Sequence, residues 1–515
     1  MKEKFYLTTS IVYTNAAPHL GFAYELVLAD IIARYKRSQG IDTYFLTGTD
    51  EHGAKIAKAA EKEGLSTKAF VNENTKHVKA LIKSLGVSND GFIRTSDKLC
   101  HWPGAIKLWK KIAAKGDLYK KKYKGLYCMG DEAFHGENTL LCGECPNYPG
   151  QALEVVEEEN YFFKLGNYTS EIKKRITSGE LKIIPASRGK EIISLLDEGL
   201  SDVSFSRLEG AIPWGIPVPG DFSQMMYVWC DALSNYVSAL GYGSSDKKMF
   251  KKYWPADLHL IGKDILRFHA AIWPAMLISA GLPLPKSIMV HGFITSDGKK
   301  MSKSLGNVID PMALINEFGK DAFRHYFSSE MSPYEDGDFS REKFIENYNG
   351  NLANGLGNLV SRVLKMSSLY FGGIVKGNTC DLAPLQDHMK TVSGEVLREL
   401  GSIENFINSK IFPEYQRAME VYEIHKASNA IWRLIKTLDL YVSGYEPFKL
   451  IKTNREKTEG VIFNLLFGLE KISEMLLPFL PDTALKITEL IGRVGKGNME
   501  YRTSILDTPL FPRKD

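Results

Sequence analysis

The start of the chain alternates a short apolar run, an amphipathic stretch and a second apolar run, and this order limits the fold more than any other feature. Residues 5–11 predict a buried strand, residues 21–39 a helix, and residues 43–47 a second strand. Strand, helix and strand joined by tight turns are typical of a doubly wound parallel α/β sheet of Rossmann-like fold. Ligands of such sheets bind beyond the carboxyl ends of the strands, where residues 13–21 and 48–53 fall.

The later chain changes its pattern twice. Residues 119–214 hold a lysine run, an acidic run and three cysteines, and they interrupt the alternation, which resumes with predicted strands at 226–229, 259–262 and 288–292. Beyond residue 351 glycine and proline become rare, and amphipathic stretches such as 427–440 predict a helix bundle. We therefore predict four parts, which are the first half of the sheet domain at 1–118, an inserted connective domain at 119–214, the second half at 215–350 and a helical domain at 351–515.

Composition excludes several classes of protein. A chain of 515 residues needs more than one core, and its 44% hydrophobic and 24% charged residues are ordinary for a globular protein. The charged N-terminus has no signal-peptide core, and the longest apolar run, 270–282, contains Pro274 and is too short to span a bilayer. Six cysteines at this length do not form a disulfide scaffold, so we expect a cytoplasmic protein. The net charge of +4 is compatible with a polyanionic partner without requiring one.

Two motifs suit a nucleotide triphosphate. His19 and Gly21 stand where a helix begins, which places an imidazole beside free backbone N–H groups. Far downstream, Lys299, Lys300 and Lys303 lie in one loop between glycines, where their charge can follow a phosphate group as it moves. A short lysine-rich run alone is more often a solvated turn, and its pairing with the first motif favours phosphate binding.

These motifs belong to a larger set that resembles one family. The most discriminating blocks are residues 13–21, 46–53, 227–236, 261–276, 290–307 and 358–362, and together they resemble the methionyl-tRNA synthetases, which are class I aminoacyl-tRNA synthetases. The resemblance implies that L-methionine and ATP form methionyl-adenylate and pyrophosphate, and that methionyl then passes to the 3′-terminal adenosine of tRNA(Met), for initiation and elongation. It further implies Mg²⁺ with the ATP, no DNA or membrane partner and, because no tRNA-binding domain follows the bundle, a monomer.

The resemblance also assigns the site residues. The positions that match the family's methionine pocket are Ile11, Tyr13, Asp50, Trp229, Ala232, Leu233, Tyr236, Ile265, His269 and Trp273, with Asp50 holding the α-amino group. The positions that match its ATP site are His19, Gly21, Gly262, Lys263, Asp264, Val290, Lys300, Met301, Ser302, Lys303 and Ser304. No nucleophile is needed for adenylyl transfer, so the catalytic assignments are the positive or hydrogen-bonding groups His19, Lys300 and Lys303.

One position departs from the family pattern. The signature that begins at His19 normally ends in a second histidine, and this chain has Phe22. Phenylalanine donates no hydrogen bond to a phosphate, so either some transition-state support is missing or the neighbours of Phe22 have repacked around its ring.

Two further sites come from the resemblance. In the insertion, Cys128, Cys142 and Cys145 could bind zinc if Asp131 or His135 completed the set, and the alternative is a decayed zinc knuckle with free thiols. In the bundle, Asn358 and Arg362 match the anticodon-reading positions, and Phe448 stands where the family generally has tryptophan and keeps a face for base stacking. Both polar residues belong to a stripe with Asn347, Asn351 and Asn354, whose spacing predicts one shared helix face.

Two rival functions remain open at this stage. The first is another enzyme, either a class I synthetase for a different side chain or a simple adenylyltransferase. Synthetases for branched aliphatic residues carry a larger insertion than 119–214, and simple adenylyltransferases lack the helical bundle. The second is a non-catalytic tRNA-binding paralogue, which Phe22 favours and which the presence of Asp50, Lys263 and Lys303 argues against.

Overall fold

The computed structural model describes residues 3–128, 133–135, 144, 153–296, 298–301, 307–377, 402–494 and 499–514. The chain forms two compact units, Met1–Phe293 and Ile294–Asp515, and each is described by itself. Among the described residues, no helix is both long and apolar enough to cross a bilayer.

A parallel sheet forms the centre of the first unit. From one edge to the other its strands are Gly91–Arg94, Asp42–Asp50, Lys4–Thr9, Leu258–Gly262, Ser287–His291 and Lys182–Ile184, and Val12–Tyr13 pairs with the end of Asp42–Asp50. Every one of these pairings is parallel, and the central strands are buried along almost their whole length, as expected for a sheet covered on both faces. The predicted α/β fold class is confirmed.

The helices of the first unit connect these strands or cover the sheet. The first, Leu20–Ser38, agrees with the predicted helix to within a residue at each end. The other helices are Ala54–Lys62, Thr67–Leu85, Trp102–Ala114, Thr169–Thr177, Ala186–Glu198, Val228–Leu233, Asn235–Ser238, Lys248–Tyr253 and Trp273–Ala280, with 3₁₀ turns at Leu165–Tyr168 and Lys263–Ile265 and a π-helix at Phe268–Ile272.

The predicted strand at 226–229 is wrong. Asp221–Met226 is a strand of a separate antiparallel sheet with Ser206–Leu208 and Pro217–Val218, and the chain then enters the helix Val228–Leu233. Residues 225–228 are all buried. Strands and helices are distinguished by the spacing of their apolar residues, and a continuous apolar run does not show where the strand ends and the helix begins.

Most strands of the segment predicted as an insertion pair in an antiparallel sheet. Leu118–Cys128 lies between Glu154–Phe163 and Ala133–His135, and Glu154–Phe163 also pairs with Val203–Ser204. The lysine and acidic runs face each other across this ladder, with Lys122 opposite Glu159 and Lys124 opposite Glu157. The segment also contains the strand Lys182–Ile184, which returns to the edge of the parallel sheet and is too short for a sequence pattern to reveal.

The second unit is mainly helical. Its α-helices are Pro311–Phe318, Lys320–Ser329, Arg341–Asn347, Asn358–Phe371, Ile403–Phe406, Phe412–Glu420, Ile424–Tyr445, Pro447–Leu450, Arg455–Leu476 and Pro481–Leu490, with π-helices at Tyr348–Gly357 and Ile407–Ile411. Two small sheets accompany them, one of Ile294–Ser296, Lys299–Lys300 and Gly337–Phe339 and the other of Ile374–Gly377, Ile491–Val494 and Met499–Thr503. The buried Arg324 donates to the carbonyl oxygens of Pro478 and Phe479 at 2.8 and 2.7 Å, which ties Lys320–Ser329 to the bundle.

The five polar residues predicted to share one helix face lie in three consecutive helical segments and not in one α-helix. Asn347 ends the helix Arg341–Asn347, and Asn351 and Asn354 belong to the π-helix Tyr348–Gly357, whose i→i+5 hydrogen bonds change the angle between residues, so the α-helical spacing does not apply across it. Asn358 and Arg362 both lie in the α-helix Asn358–Phe371, where a spacing of four keeps them on one side.

Candidate active site

Two pairs of neighbouring strands bring the predicted site residues of the first unit to the carboxyl edge of the sheet. Val12–Tyr13 runs beside the end of Asp42–Asp50, so Tyr13 is the register partner of Asp50. Two strands further along, Gly262 is the register partner of His291. The loops that follow these strands carry most of the polar groups predicted for substrate binding.

His19 caps the first helix and has a defined tautomer. Its Nδ1 accepts the backbone N–H of Phe22 at 3.3 Å, and its surroundings displace water and so lower the pKa of the imidazole. A neutral ring that accepts at Nδ1 carries its proton on Nε2, which is therefore a donor. A Cβ at Gly21 would stand 3.1 Å from His19 Nδ1, so a larger residue there would press on this ring and require it to shift.

A buried ion pair lies beside this cap. His291 donates from Nε2 to Glu25 at 2.9 Å and from Nδ1 to the carbonyl oxygen of Gly292 at 2.7 Å, so the ring carries both protons. Burial alone would lower the pKa of His291, but the hydrogen bond and the charge of Glu25 raise it overall. The other oxygen of Glu25 accepts from the backbone N–H and the hydroxyl of Ser10, both at 2.7 Å.

The predicted ATP residues around Gly262 lie close to that pair. A Cβ at Gly262 would stand 2.8 Å from Asp264 Oδ1 and 3.7 Å from His291 Nε2, so a larger residue here would displace the Asp264 carboxylate. Lys263 Nζ lies 4.3 Å from the centre of the Phe293 ring. The side chain of Val290 is buried within the sheet, so this residue can reach a ligand only through its backbone.

Asp50 is held in place by backbone bonds. It is 8% exposed, its carbonyl oxygen accepts from the backbone N–H and hydroxyl of Thr14 at 3.0 Å each, and the hydroxyl of Thr95 donates to Oδ1 at 3.4 Å. The next residue, Glu51, is fully buried and accepts from Thr49, Thr75, Arg94 and Ser96. The backbone that carries the Asp50 carboxylate is therefore held by several hydrogen bonds.

Aromatic rings line the predicted methionine pocket. Trp229 stacks on Phe268 with ring centroids 3.8 Å apart and planes 9° apart, and it meets the edge of His269 at 6.3 Å. His269 donates from Nδ1 to the carbonyl oxygen of Ile265 at 3.0 Å, and its Nε2 accepts from the hydroxyl of Tyr236 at 2.7 Å. Burial lowers the pKa of His269 to about 4, so it is a neutral part of an apolar wall.

A deeper layer supports this wall. Tyr236 and Trp273 are both buried, with ring centroids 5.9 Å apart, and Trp273 donates to His259 Nε2 at 3.3 Å. His259 in turn donates from Nδ1 to Thr8 at 2.7 Å. Ala232 and Leu233 are also buried, whereas Ile11, Tyr13, Trp229 and Ile265 keep a partly exposed surface.

The lysine loop begins in the second unit. Lys299–Lys300 pairs with Ile294–Ser296, and Asp338 Oδ1 accepts the Gly298 N–H at 2.7 Å and the Thr295 hydroxyl at 2.8 Å. Met301 is half-buried. The predicted residues Ser302, Lys303 and Ser304 lie outside the described residues.

The predicted metal and anticodon sites are only partly described. Cys128 is a buried free thiol at the end of its strand, and Cys142, Cys145 and Asp131 lie outside the described residues, as does the side chain of His135. No cluster of three or more metal-ligating side chains occurs in the part of the chain that the structure describes. In the bundle, Asn358 is exposed, Arg362 donates to Asp439 at 2.8 Å, and Phe448 is 45% exposed.

Several residues of the site were not predicted from the sequence. Phe268 is one: it and His269 both contact the ring of Trp229, and both lie in a π-helix that the sequence did not reveal. Glu25 and His291 are 266 positions apart, and no local pattern links them. Glu25 stands among apolar residues of its helix, and this is a signal that could have been used, since buried charges are almost always paired.

An α/β sheet with a histidine-capped helix and an aromatic pocket at its carboxyl edge, followed by a helical unit, has the architecture of a class I aminoacyl-tRNA synthetase. A family model described as "tRNA synthetases class I (M)" matches residues 5–152 and 148–364. The chain belongs to the methionine–tRNA ligase family.

Individual relatives agree with this assignment. Methionine–tRNA ligase of Clostridium perfringens is 42% identical over 94% of this chain and 73% of its own length, and that of Rhizobium meliloti is 41% identical over 95% and 92%. The structure of Mycobacterium tuberculosis methionyl-tRNA synthetase in complex with methionyl-adenylate superposes with a TM-score of 0.89 at 36% identity, covering 99% of this chain and all of that one.

Proposed function

We propose that the chain activates L-methionine with ATP to methionyl-adenylate and pyrophosphate, and then transfers methionyl to the 3′-terminal adenosine of tRNA(Met). The observation that carries the proposal is the meeting of a buried carboxylate, Asp50, with a partly open aromatic wall and a histidine-capped helix at one sheet edge. These are the groups that an amino acid with a long apolar side chain and a nucleotide would require.

Methionine is recognised by a charge interaction at its ammonium group and by dispersion contacts at its side chain. Asp50 holds the α-ammonium group, and Trp229 and His269 provide ring faces and edges for the thioether, a contact that contributes about 0.3–1.5 kcal/mol. Because His269 is neutral, it adds no charge to the pocket, and it neither repels the ammonium group nor competes with it for Asp50.

Adenylyl transfer needs positioning and positive charge more than a nucleophile. The methionine carboxylate attacks the α-phosphorus, and the Nε2–H of His19, at the start of the first helix, stabilises the negative charge that forms there. The loop with Lys300, Met301, Ser302, Lys303 and Ser304 supports the departing pyrophosphate. Mg²⁺ bound to the phosphates of ATP would neutralise part of their charge.

The helical unit supplies the tRNA surface in this proposal. Asn358 and Arg362 hydrogen-bond unstacked anticodon bases, and Phe448 stacks on a base, a contact worth roughly 1–3 kcal/mol. Arg362 already pairs with Asp439, so binding would exchange this exposed ion pair for one with RNA. The four-part division of the chain, a monomeric state and a cytoplasmic location belong to the same proposal, and zinc at Cys128, Cys142 and Cys145 would be detected by metal analysis of the purified protein.

Pyrophosphate exchange with each of the twenty amino acids tests the proposal directly. We expect ATP–pyrophosphate exchange with methionine alone at micromolar to millimolar concentrations. Exchange with another amino acid would indicate a different synthetase. No exchange, together with retained tRNA binding, would favour the non-catalytic paralogue.

Phe22 is a structural residue in this proposal. It is 4% exposed, so its ring packs in the core of the first unit, and only its backbone N–H is turned to His19. We expect Phe22→His to lower the free energy of unfolding by about 1–3 kcal/mol, because a polar ring would be buried without a partner, and to leave the rate of adenylate formation no higher. Urea unfolding and pre-steady-state adenylate formation measure the two effects.

Phe22→Leu is the matched control, since it keeps an apolar side chain and tests packing alone. A Phe22→His protein that forms adenylate faster at unchanged stability would show instead that a phosphate donor is missing from the wild-type site.

A further inference from the structure

A buried carboxylate joins two histidines behind the methionine pocket. Asp231 Oδ2 accepts from His52 Nδ1 and Asp231 Oδ1 accepts from His101 Nε2, both at 2.6 Å. All three side chains are buried, and Asp231 is 1% exposed. The remaining ring nitrogen of His101 is 2.8 Å from the hydroxyl of Ser238. Burial would raise the pKa of Asp231, but its two histidine partners lower it to about 2, so it is ionised at neutral pH.

The position of Asp231 on its helix separates it from the pocket surface. In Val228–Leu233 each residue advances by about 100°, so Trp229 and Leu233 share one side and Asp231 lies roughly opposite Trp229. The helix Val228–Leu233 therefore turns one side towards the methionine pocket, and Asp231 anchors its other side.

The two histidines belong to different parts of the first unit. His52 is two residues beyond Asp50, in a segment that is itself held by the hydrogen bonds of Glu51 and by the indole N–H of Trp214, which donates to the Glu51 carbonyl oxygen at 2.5 Å. His101 immediately precedes the helix Trp102–Ala114. The Asp231 carboxylate thus joins three parts of the first unit. These are the segment after Asp50, the helix Val228–Leu233 and the start of the helix Trp102–Ala114.

We infer that Asp231 is a positioning residue that sets the distance between Asp50 and the aromatic wall. This inference rests on the proposed function. Methionine has an ammonium group at one end and a thioether at the other, and both ends are recognised tightly only when the two protein groups keep a fixed spacing. A misplacement near 1 Å can cost on the order of a hundredfold in rate or specificity, because short-range contacts lose their geometry.

Substitution of Asp231 should therefore change methionine recognition and leave ATP recognition intact. We expect Asp231→Ala to raise KM for methionine by about tenfold or more and to reduce the preference for methionine over norleucine, with KM for ATP unchanged. Asp231→Asn, which keeps the shape and one acceptor, should show a smaller change of the same kind. Pyrophosphate exchange with methionine and with norleucine gives all these values.

Variants of His101 test the link from a position outside the pocket. His101→Asn is too short to reach Asp231 and should raise KM for methionine, whereas His101→Gln places an amide donor near the original Nε2 and should restore it. This pair remains informative if Asp231→Ala fails to fold.

Asp321 offers a matched control in the second unit. It is a buried aspartate that accepts from the backbone N–H and hydroxyl of Thr483 at 2.7 Å each. Asp321→Asn should lower stability without altering KM for methionine or the preference over norleucine. Unchanged KM and preference in folded Asp231 and His101 variants would overturn the inference, whereas a wild-type chain without methionine-dependent exchange would overturn the proposed function itself.

Discussion

Asp50→Asn is expected to weaken methionine binding by about 2–5 kcal/mol, because a buried ammonium would lose its charged partner. The carboxylate is 8% exposed and its backbone is fixed by Thr14, so no neighbouring movement can easily replace the lost charge. Calorimetric titration with methionine measures the dissociation constant without requiring turnover.

Asp42→Asn is a suitable control for this change. Asp42 stands at the other end of the same strand, where it accepts from the Tyr253 hydroxyl at 2.7 Å and pairs with Lys252. Its replacement should leave methionine affinity unchanged. Equal dissociation constants for wild type and Asp50→Asn would refute the role given to Asp50.

Lys303→Ala is expected to slow adenylate formation by on the order of 10²–10³-fold with little change in methionine affinity. The charge of Lys303 matters when negative charge develops on the departing pyrophosphate, so it contributes to the transition state more than to the ground state. Single-turnover adenylate formation at saturating methionine and ATP measures the effect.

Lys299→Ala separates this role from general positive charge. Lys299 belongs to the same loop and is exposed on the strand Lys299–Lys300. We expect its removal to reduce the rate only slightly, since exposed charges are screened. A near-normal exchange rate for Lys303→Ala would contradict the function assigned to the loop.

The sequence predicted local elements better than long-range partners. The first helix and its two flanking strands follow from apolar periodicity, and the rule that ligands bind at carboxyl ends located the loops around Tyr13 and Asp50. The prediction failed at 226–229, because a uniformly buried run has no period, and it missed Lys182–Ile184, because three residues carry too little pattern.

The site residues that the sequence did not predict were missed for one physical reason. The partners of Glu25 and Asp231 are distant in sequence, and a hydrogen bond between distant segments leaves no trace in the spacing of either. The family resemblance assigned positions expected to contact substrates, and these buried pairs are not among them. Packing of the whole unit was needed to bring them together.

The π-helix Phe268–Ile272 makes the predicted methionine pocket sensitive to the number of residues in the chain as well as to their identity. A π-turn accommodates more residues per turn than an α-turn, and the α-helix Trp273–Ala280 follows it directly. Loss of one residue from this turn would let the backbone rewind as an α-helix and would rotate Phe268 and His269 by roughly 100° relative to Trp273. Relatives that differ in length here would present another set of side chains to the amino acid, even with every pocket residue retained.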